Sequence, residues 1–353
     1  MATKERIVVA MSGGVDSAVA AGLLIEQGYD LVGVTMHLWD AAGENQVGRC
    51  CSPVDRDDAR RVCEHLGIPH YVIDERESFR QNVVNPFVDE YLAGRTPSPC
   101  VHCNRTVKLT FLQGLAAKFG ARRVATGHYA RLESDERGET KLLRGRDLQK
   151  DQSYFLFGVP GETLGRLIFP VGNIAKGETR AVARRLGLPN ADKADSQELC
   201  FVPDGKIREF VERDRGAAAT GRIIDEAGTE LGTHKGIAGF TVGQRKGLGL
   251  GGGPVRYVLK VLPESNDVVV GPEDRLSASN IRVSDSAWIG KAPDEPFEAH
   301  VRIRYRHQPA AALVTPSEGG FDVVFDEAQR AAAPGQAAVV YQGEEVLGGG
   351  FIA

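Results

Sequence analysis

The sequence lacks any apolar run of the length that a membrane helix requires. Such a helix needs about 20 consecutive apolar residues, and every hydrophobic stretch of this chain is shorter. The first residues, MATKERIVVAMSGG, lead directly into a predicted strand and contain no apolar segment ahead of a cleavage site. We therefore expect a cytoplasmic protein that has no contact with a membrane.

Cysteine and net positive charge are also scarce. Six cysteines among 353 residues are too few for a disulfide scaffold, and in a reducing compartment clustered cysteines indicate metal, cluster or thiol chemistry. The chain has 43 basic and 47 acidic residues, so its formal net charge is -4. It is not a polycation, and any binding of nucleic acid must come from local basic patches.

The N-terminal part of the chain alternates between predicted strands and predicted helices. Apolar runs predict strands at 6–11, 30–39, 69–74 and within 121–130, and helical periodicity predicts helices at 16–28, 55–67 and 107–120. This alternation is typical of a parallel sheet with crossover helices. We therefore predict a doubly wound α/β domain over residues 1–205, with its ligand at the carboxyl ends of the strands.

The remainder of the chain changes character. Glycine turns and short strands fill residues 206–277, which predicts a small central α+β domain. Evenly spaced short strands follow over residues 278–353 and are typical of a small sandwich or barrel. We predict a C-terminal β-barrel-like domain there, which makes three domains in all.

The segment VVAMSGGVDSAVAA, residues 8–21, has the form of a phosphate-binding loop between a strand and a helix. Gly13 and Gly14 let backbone N–H groups approach an anion closely, and the helix start adds unpaired N–H donors. A P-loop would carry a lysine that reaches the terminal phosphates, and this loop has none. Transfer of the terminal phosphoryl group is therefore disfavoured. The simpler alternative is a glycine turn with an aspartate or serine helix cap.

The pattern SGGVDS resembles the PP-loop of the adenine nucleotide α-hydrolase-like proteins. That resemblance implies cleavage of ATP between its α- and β-phosphates, with pyrophosphate held in the loop and a carbonyl oxygen adenylated. Asp16 would help to hold Mg²⁺, a cation that prefers carboxylate and phosphate oxygens.

Cys100, Cys103 and Cys200 lie in the segments TPSPCVHCNR and ADSQELCFVPDG. The prolines before Cys100 predict a rigid, non-helical approach, and a helix is predicted to begin near Asn104. That helix N-terminus would favour a thiolate at Cys103. A persulfide on one thiol could be delivered to an activated carbon while a second thiol releases the product by disulfide exchange.

Other interpretations of the cysteines stay open. In one, the cysteines are buried structural thiols. In another, they form a zinc site that His102 or Cys50 completes. A thioredoxin-like pair is disfavoured because the C-x-x-C follows Pro-Ser-Pro rather than a βα turn. Cys63 lies on one face of a predicted helix and is expected to belong to the core. Cys50 and Cys51 lie in a predicted loop, and no function is assigned to them.

Motifs along essentially the whole chain occur in one recognisable order: MSGGVDSAVAA, GRTPSPCVHCNRTVKL, ATGHYAR, KDQSYFL, DSQELCFVPDG, GTHKGIAGFTVGQRKGLG and IRYRH. In this order they resemble the bacterial tRNA-specific 2-thiouridylases. The resemblance implies ATP-dependent 2-thiolation of the wobble uridine of certain tRNAs. ATP would adenylate the 2-carbonyl oxygen, and sulfur would then displace AMP. It also implies a sulfur-donor protein as partner, and we expect a monomer.

The resemblance assigns residues to the nucleotide and sulfur steps. By motif, Cys103 takes the role of the nucleophile and Cys200 that of the persulfide carrier. The ATP site would comprise Ala10, Met11, Ser12, Gly13, Gly14, Val15, Asp16, Ser17, Met36 and Gly127. From the residues alone, Met36 is equally well explained by core packing near the end of the second strand.

Cys100 departs from the family pattern. Many members have an aspartate at this position, three residues before the nucleophile, where it is a candidate base. With a cysteine there, Cys100, Cys103 and Cys200 could instead hold a 4Fe–4S cluster by three thiolates. The open iron would then bind the sulfide to be transferred. The persulfide and cluster alternatives give the same product.

Basic strips next to aromatic residues indicate where tRNA would bind, since RNA is gripped by phosphate contacts and by stacking. In VRIRYRHQ, alternation predicts that Arg302, Arg304 and Arg306 share one strand face. Residues that would contact tRNA by resemblance are Ser98, Pro99, Cys100, His128, Lys150, Asp151, Gln152, Arg304, Tyr305 and Gln336. Solvated charge runs, and a core position for His128, are the simpler alternatives.

Two competing functions use the same loop differently. A PP-loop ATP pyrophosphatase that ligates or amidates a small molecule would leave Cys103 and Cys200 idle. A non-catalytic RNA-binding sulfur carrier would have no use for an intact SGGVDS loop.

Overall fold

A computed structural model describes residues 4–40, 53–195, 199–202 and 205–353. Cys50 and Cys51 lie outside these residues, as do the neighbours of Cys200 at 196–198 and 203–204. The chain divides into two compact units, one of residues 1–83, 100–203 and 344–347 and the other of residues 84–99, 204–343 and 348–353. No helix in the described part of the chain is long and apolar enough to cross a membrane.

The strands are β1 (Arg6–Ala10), β2 (Asp30–His37), β3 (His70–Asp74), β4 (Arg123–Ala125), β5 (Ala130–Ser134), β6 (Thr140–Arg144), β7 (Leu167–Ile168), β8 (Gly221–Ile224), β9 (Glu230–His234), β10 (Tyr257–Leu262), β11 (Asp267–Gly271), β12 (Ser277–Trp288), β13 (Phe297–Arg302), β14 (Ala310–Ser317), β15 (Gly320–Arg330), β16 (Ala337–Gln342) and β17 (Glu345–Ile352).

The α-helices are α1 (Val15–Glu26), α2 (Pro53–Leu66), α3 (Arg76–Phe79), α4 (Asn85–Leu92), α5 (Pro99–His102), α6 (Leu109–Lys118), α7 (Gly161–Leu164), α8 (Lys176–Arg185) and α9 (Ile207–Arg215). π-Helical turns occupy Arg80–Val84 and Cys103–Lys108.

The first unit is built on a parallel sheet of five strands in the order β3–β2–β1–β4–β7. The chain passes from β1 to β2 and β3 on one side and then returns to place β4 on the other side of β1. This reversal opens a crevice at the carboxyl ends of β1 and β4, where α/β proteins bind their ligands. The predicted doubly wound α/β domain is confirmed, and its switch point lies directly after β1.

Helix α1 is fixed in this unit by burial on nearly all sides. It contacts β1, β2, α2 and α8, and Ala18, Val19 and Ala20 have no exposed surface. A helix that is apolar all round is a buried helix, and small alanines let its neighbours pack closely. Each fully buried Val or Leu contributes roughly 1.5–3 kcal/mol, so the start of α1, next to the phosphate loop, is firmly anchored.

The second unit contains a small mixed sheet and a barrel. The sheet has the strand order β10–β11–β8–β9 and a core of Ile223, Val258, Val268 and neighbouring apolar residues. The barrel runs in the order β12–β15–β14–β13–β16–β17, and it closes because β12 also pairs with β17. The predicted central α+β domain and C-terminal barrel are therefore confirmed as architecture.

Two local predictions are wrong. The helix that carries the cysteines begins at Pro99, not near Asn104, because proline fits the first position of a helix, where its missing N–H is not needed. Strand β13 ends at Arg302, and a turn follows. Arg302 is buried and Arg304 lies in the turn, so the basic residues of VRIRYRH do not share one strand face.

Candidate active site

The phosphate loop spans the four residues between β1, which ends at Ala10, and α1, which begins at Val15. Gly13 has a φ of +76°, a conformation that side chains disfavour. A Cβ at Gly13 would lie 2.1 Å from the carbonyl oxygen of Asp55. Only glycine therefore suits this position, both for backbone conformation and for space.

The carbonyl of Gly13 is held by two side chains from a distant part of the chain. Asn190 Nδ2 donates to it at 3.0 Å and Lys193 Nζ at 3.2 Å. Since a trans peptide points its C=O and N–H in opposite directions, the N–H of Gly14 faces away from both donors. The N–H of Gly14 instead donates to Ser12 Oγ at 3.4 Å, so the pair fixes the orientation of the peptide between Gly13 and Gly14.

Lys193 also neutralises two carboxylates of α2. Its ammonium lies 2.5 Å from Asp55 Oδ1 and 2.7 Å from Asp58 Oδ2, and all three side chains are largely buried. Burial opposes the charge on Lys193, but the hydrogen bonds to Asp55 and Asp58 outweigh it and raise the pKa of the lysine. Lys193 is therefore a fixed cation that supports the phosphate loop.

A second lysine reaches the other end of the loop. Lys176, the first residue of α8, donates to Asp16 Oδ1 at 2.6 Å and lies 2.9 Å from Asp195 Oδ1. The hydroxyl of Tyr129 donates to the same Asp16 oxygen at 2.8 Å. The loop has no lysine of its own, and its surroundings supply two.

The other predicted nucleotide residues lie around the same crevice. Gly127 follows β4, and a Cβ there would lie 2.6 Å from the backbone of Asp16 and Ser17. Ser17 Oγ donates to the Gly14 carbonyl at 3.0 Å and lies 3.2 Å from Ser12 Oγ. Met36 is buried near the end of β2. The fold brings Gly127 against the loop, and its role as a nucleotide contact stays a prediction.

The three candidate cysteines lie in the first unit and differ in exposure. Cys100 is exposed in the first turn of its helix, Cys103 is buried, and Cys200 is half-buried. Cys103 opens a π-helical turn, a distortion that is frequent at functional sites. Because the helix starts at Pro99, the expected stabilisation of a Cys103 thiolate by the helix N-terminus does not apply.

The residue after Cys200 is anchored by aromatic contacts. Phe201 is 3% exposed, and its ring centroid lies 5.6 Å from Phe79 and 6.4 Å from Trp39 in edge-to-face arrangements. Such ring pairs add about 0.5–1.5 kcal/mol each beyond area burial. Cys200 is therefore held near the carboxyl end of β2, to which Trp39 is attached.

Hydrogen bonds link the separate sequence motifs to one another. Asn104 Nδ2 donates to the Phe155 carbonyl at 3.2 Å, which joins the Cys103 segment to KDQSYF. Lys150 Nζ lies 2.8 Å from Asp195 Oδ2, which joins KDQSYF to the Cys200 segment.

The chain of contacts continues to the phosphate loop. Burial opposes ionisation of Asp195, but its hydrogen bonds from Lys150 and Lys176 lower its pKa to about 2. Since Lys176 also binds Asp16, a continuous path of contacts runs from the cysteine segments to the loop.

His128, Asp151 and Gln152, three of the predicted tRNA contacts, have partners inside the protein. Asp151 is 1% exposed, and its Oδ1 accepts the backbone N–H of Gly145 and Ser153. Gln152 Oε1 accepts the Tyr129 N–H at 3.0 Å. Burial, with the nearby charge of Lys108, lowers the pKa of His128 to about 3, so this imidazole is neutral. Their contacts with tRNA stay predictions.

Of the remaining predicted tRNA residues, Cys100 and Lys150 lie in the first unit, and Ser98, Pro99, Arg304, Tyr305 and Gln336 lie in the second. Gln336 Nε2 donates to the Thr96 carbonyl at 3.0 Å, and Ser98 Oγ accepts the Ala337 N–H at 3.0 Å. Gln336 thus holds the segment that leads to Pro99. In the turn after β13, the guanidinium of Arg304 donates to the Ala331 carbonyl.

The donor groups of the described residues bear on the zinc and cluster alternatives. Among residues 4–40, 53–195, 199–202 and 205–353, no three His, Cys, Asp or Glu side chains are grouped so that they could hold a metal ion. A cluster held by Cys100, Cys103 and Cys200 stays a prediction. Cys63 is buried in the core, as predicted.

Sequence reasoning missed Lys176, Asn190, Lys193 and Asp195. Asp195 is the first residue of the DSQELC motif and Lys193 stands two residues before it, so their neighbourhood carried a signal. Lys176 and Asn190 had none, because their partners in the loop are 160 and 177 residues away in the sequence.

Domain families match the chain in three successive parts. A tRNA methyl transferase HUP domain matches residues 5–204, a tRNA methyl transferase PRC-barrel domain matches residues 208–272, and an aminomethyltransferase β-barrel domain matches residues 278–352. Among solved structures, the NMN synthetase of Francisella tularensis covers 61% of this chain and 78% of its own at 17% identity, with a TM-score of 0.35. This likeness is too slight to support an argument.

Full-length relatives are far more similar. The chain is 50% identical to the tRNA-specific 2-thiouridylase MnmA of Sorangium cellulosum, over 98% of this chain and 92% of that one. It is 48% identical to the protein of the same name from Geobacter metallireducens and 50% identical to that from Acidithiobacillus ferrooxidans, each over 99% of this chain and at least 97% of the relative. The chain belongs to the family of tRNA-specific 2-thiouridylases.

Proposed function

We propose that this protein transfers sulfur to carbon 2 of the wobble uridine of tRNA in a reaction that consumes ATP. Family membership supports this activity. The observation on which the proposal rests is the continuous set of contacts from the Cys103 and Cys200 segments, through Lys150, Asp195 and Lys176, to the phosphate loop. A nucleotide site and a thiol site that are linked in this way suit activation followed by sulfur transfer.

The crevice at β1 and β4 fits ATP as a substrate. The loop N–H groups and the start of α1 favour the phosphates, and Gly127 allows close approach to the loop. Asn190 Oδ1 is buried beside the loop and, within the described part of the chain, has no hydrogen-bond partner.

Mg²⁺ fits the same crevice through Asp16, whose side chain is partly exposed at the loop. When bound, Mg²⁺ neutralises phosphate charge and makes pyrophosphate a better leaving group. The full ATP site would be the set from Ala10 to Ser17 together with Met36 and Gly127.

The first chemical step activates the uridine. Its 2-carbonyl oxygen attacks the α-phosphorus of ATP, the α–β bridging bond breaks, and pyrophosphate leaves. The electrophile is now a carbon with AMP as its leaving group. The wobble base must leave its stack to reach this position, and enzymes that modify bases inside a stack extrude them in this way.

The second step transfers sulfur from Cys200. A persulfide on Cys200 attacks carbon 2, and AMP leaves with the original carbonyl oxygen. The Cys103 thiolate then attacks the Cys200 Sγ, which forms a Cys103–Cys200 disulfide and releases 2-thiouridine. The step requires the two Cα atoms to come within about 7 Å. A cellular thiol reductant must supply two electrons before the next turnover.

Partners follow from this chemistry. A cysteine desulfurase or a relay protein would load Cys200 with persulfide sulfur. The anticodon arm of tRNA would contact Ser98, Pro99, Cys100, His128, Lys150, Asp151, Gln152, Arg304, Tyr305 and Gln336. The protein would act as a monomer in the cytoplasm, where tRNA and ATP are present.

Pyrophosphate release measured with and without tRNA tests this proposal. Release that depends on tRNA, with one 2-thiouridine formed per AMP, is the expected result. Release that ignores tRNA would indicate a small-molecule ligase, and no release under either condition would indicate a non-catalytic carrier. Either of these results would overturn the proposal.

A further inference from the structure

The phosphate loop has no lysine of its own, and the structure brings two lysines to it from a distance. Their surroundings differ. Lys193 binds the Gly13 carbonyl, Asp55 and Asp58, so its ammonium is engaged with groups of the protein. Three short contacts match the three N–H donors of an ammonium. Lys193 is thus committed to the support of the loop.

Lys176 is placed differently. Its ammonium bonds to two carboxylates, Asp16 at 2.6 Å and Asp195 at 2.9 Å, and lies 5.7 Å from the centre of the Tyr129 ring. Its side chain is only 11% exposed, while that of Asp16 is 32% exposed. A lysine that is largely withdrawn from water thus meets a carboxylate that opens onto the loop.

Each carboxylate around Lys176 also has another partner. Asp16 accepts a hydrogen bond from Tyr129, and Asp195 is bound by Lys150 and Arg180. Asp195 and Asp16 would therefore remain partnered if Lys176 turned to a different anion. Asp16 belongs to the first turn of α1, next to the N–H groups that favour phosphate.

We propose that Lys176 is the cation of this phosphate loop and that its ammonium binds the pyrophosphate portion of ATP. The inference rests on the proposed function, because it assumes that the loop binds ATP. Asp16 holds the ammonium beside the loop before the nucleotide arrives. When Mg²⁺ engages Asp16, the ammonium gains a phosphate oxygen in place of that carboxylate and stabilises the charge that develops on the leaving pyrophosphate.

Binding of inorganic pyrophosphate and of adenosine separates this role from a structural one. Calorimetry with Mg²⁺ would compare the wild type with Lys176→Met, which keeps most of the length of the side chain and removes its charge. A charged hydrogen bond contributes about 1.5–3 kcal/mol, so the Kd for pyrophosphate should rise roughly 10- to 100-fold. The Kd for adenosine, which has no phosphate, should stay within about twofold. Lys176→Arg should restore part of the pyrophosphate affinity.

Arg180→Met is the matched control. Arg180 also binds Asp195, at 2.9 Å, and does not share the contact with Asp16. Pyrophosphate affinity within about twofold of the wild type is expected.

The outcomes that overturn the inference are distinct. Equal losses in Lys176→Met and Arg180→Met would show that Lys176 acts through Asp195, and an equal loss for adenosine would show a general disturbance of the site. If the wild type binds pyrophosphate and Lys176→Met binds it as tightly, the inference about Lys176 fails and the proposed function stands. If the wild type binds neither ATP nor pyrophosphate, the proposed function fails with it.

Discussion

The phosphate loop and the Cys200 segment are stabilised by different kinds of contact. At the loop, the Gly13 carbonyl and the carboxylates of Asp16 and Asp55 all meet lysines or neutral donors at hydrogen-bond distance. Next to Cys200, the neighbouring Phe201 is held instead by the rings of Phe79 and Trp39. Contacts of fixed geometry preorganise the loop for charge, whereas aromatic packing supplies an apolar anchor directly beside the Cys200 thiol. Changes at the loop should therefore affect nucleotide chemistry, and changes at the thiols should affect sulfur transfer alone.

The largest effect is expected from the thiols. Cys103→Ser and Cys200→Ser should each reduce 2-thiouridine formation to background, because one thiol carries the sulfur and the other releases it. Both variants should still release pyrophosphate in a tRNA-dependent single turnover and bind tRNA nearly as the wild type does. A gel-based thiouridine assay, a pyrophosphate assay and a tRNA-binding assay measure the three properties. Loss of pyrophosphate release would show that the two regions are not separable.

A change at the loop should reduce the nucleotide step itself. Gly13→Ala places a Cβ 2.1 Å from the Asp55 carbonyl and forces alanine to a φ of +76°. The left-handed conformation alone costs about 1–2 kcal/mol. Pyrophosphate release should fall by at least about tenfold, and thiolation should fall with it.

Gly14→Ala is the matched control for that change. Gly14 has a φ of −85°, and the nearest atom to a Cβ there is Ser12 Oγ at 3.4 Å. Pyrophosphate release should change far less than in Gly13→Ala. Equal losses in the two variants would contradict the assignment of Gly13 as the position that requires glycine.

An effect on stability is expected from Lys193. Lys193→Met removes the cation that lies between Asp55 and Asp58 in a largely buried position, while Asp58 keeps its contact with Arg61. Breaking a buried ion pair costs about 3–5 kcal/mol. Because the hydrogen bonds raise the pKa of Lys193 in the folded state, its contribution is complete below the unfolded pKa of about 10.4 and is lost as pH rises above that value.

Urea unfolding at pH 7 and at higher pH measures this contribution. The stability difference between the wild type and Lys193→Met should be large at pH 7 and should shrink in the alkaline range. A difference that stays constant across that range would count against the ion pairs as its source.

The smallest effect is expected at Cys63. Burial, with the charge of Glu64, raises the pKa of this thiol to about 12, so at pH 8 only about one part in ten thousand is thiolate. Iodoacetamide should modify the exposed Cys100 well before Cys63, as read by peptide mass spectrometry. Cys63→Ala should keep full thiolation activity and lose about 1 kcal/mol of stability. Rapid labelling of Cys63 in the folded protein would contradict its placement in the core.

The sequence alone predicted the parts of the site that are local in the chain. The order strand, SGGVDS, helix predicted the phosphate loop, and the alternation of elements predicted the parallel sheet and its ligand edge. The predicted start of the cysteine helix is wrong because proline does not only break helices, and Pro99 occupies the first helical position. The alternation in VRIRYRH did not reveal that β13 ends at Arg302.

The cations of the loop could not be predicted, because they depend on tertiary structure. Lys176 meets Asp16 across 160 residues and Lys193 meets Gly13 across 180 residues. A lysine at the start of a helix, such as Lys176, resembles any surface lysine until the fold places it. The absence of a lysine from SGGVDS predicts a phosphate chemistry different from that of a P-loop, and the source of the positive charge is visible only in the structure.

The fate of the uridine oxygen tests the central claim most directly. A synthetic anticodon stem-loop whose wobble uridine carries ¹⁸O at carbon 2 would be thiolated in a single turnover with ATP, and the AMP would be analysed by mass spectrometry. If the loop directs adenylation of the 2-carbonyl oxygen, each 2-thiouridine formed is matched by one AMP that contains ¹⁸O. Unlabelled AMP, with ¹⁸O retained in the RNA or released to water, would contradict the account.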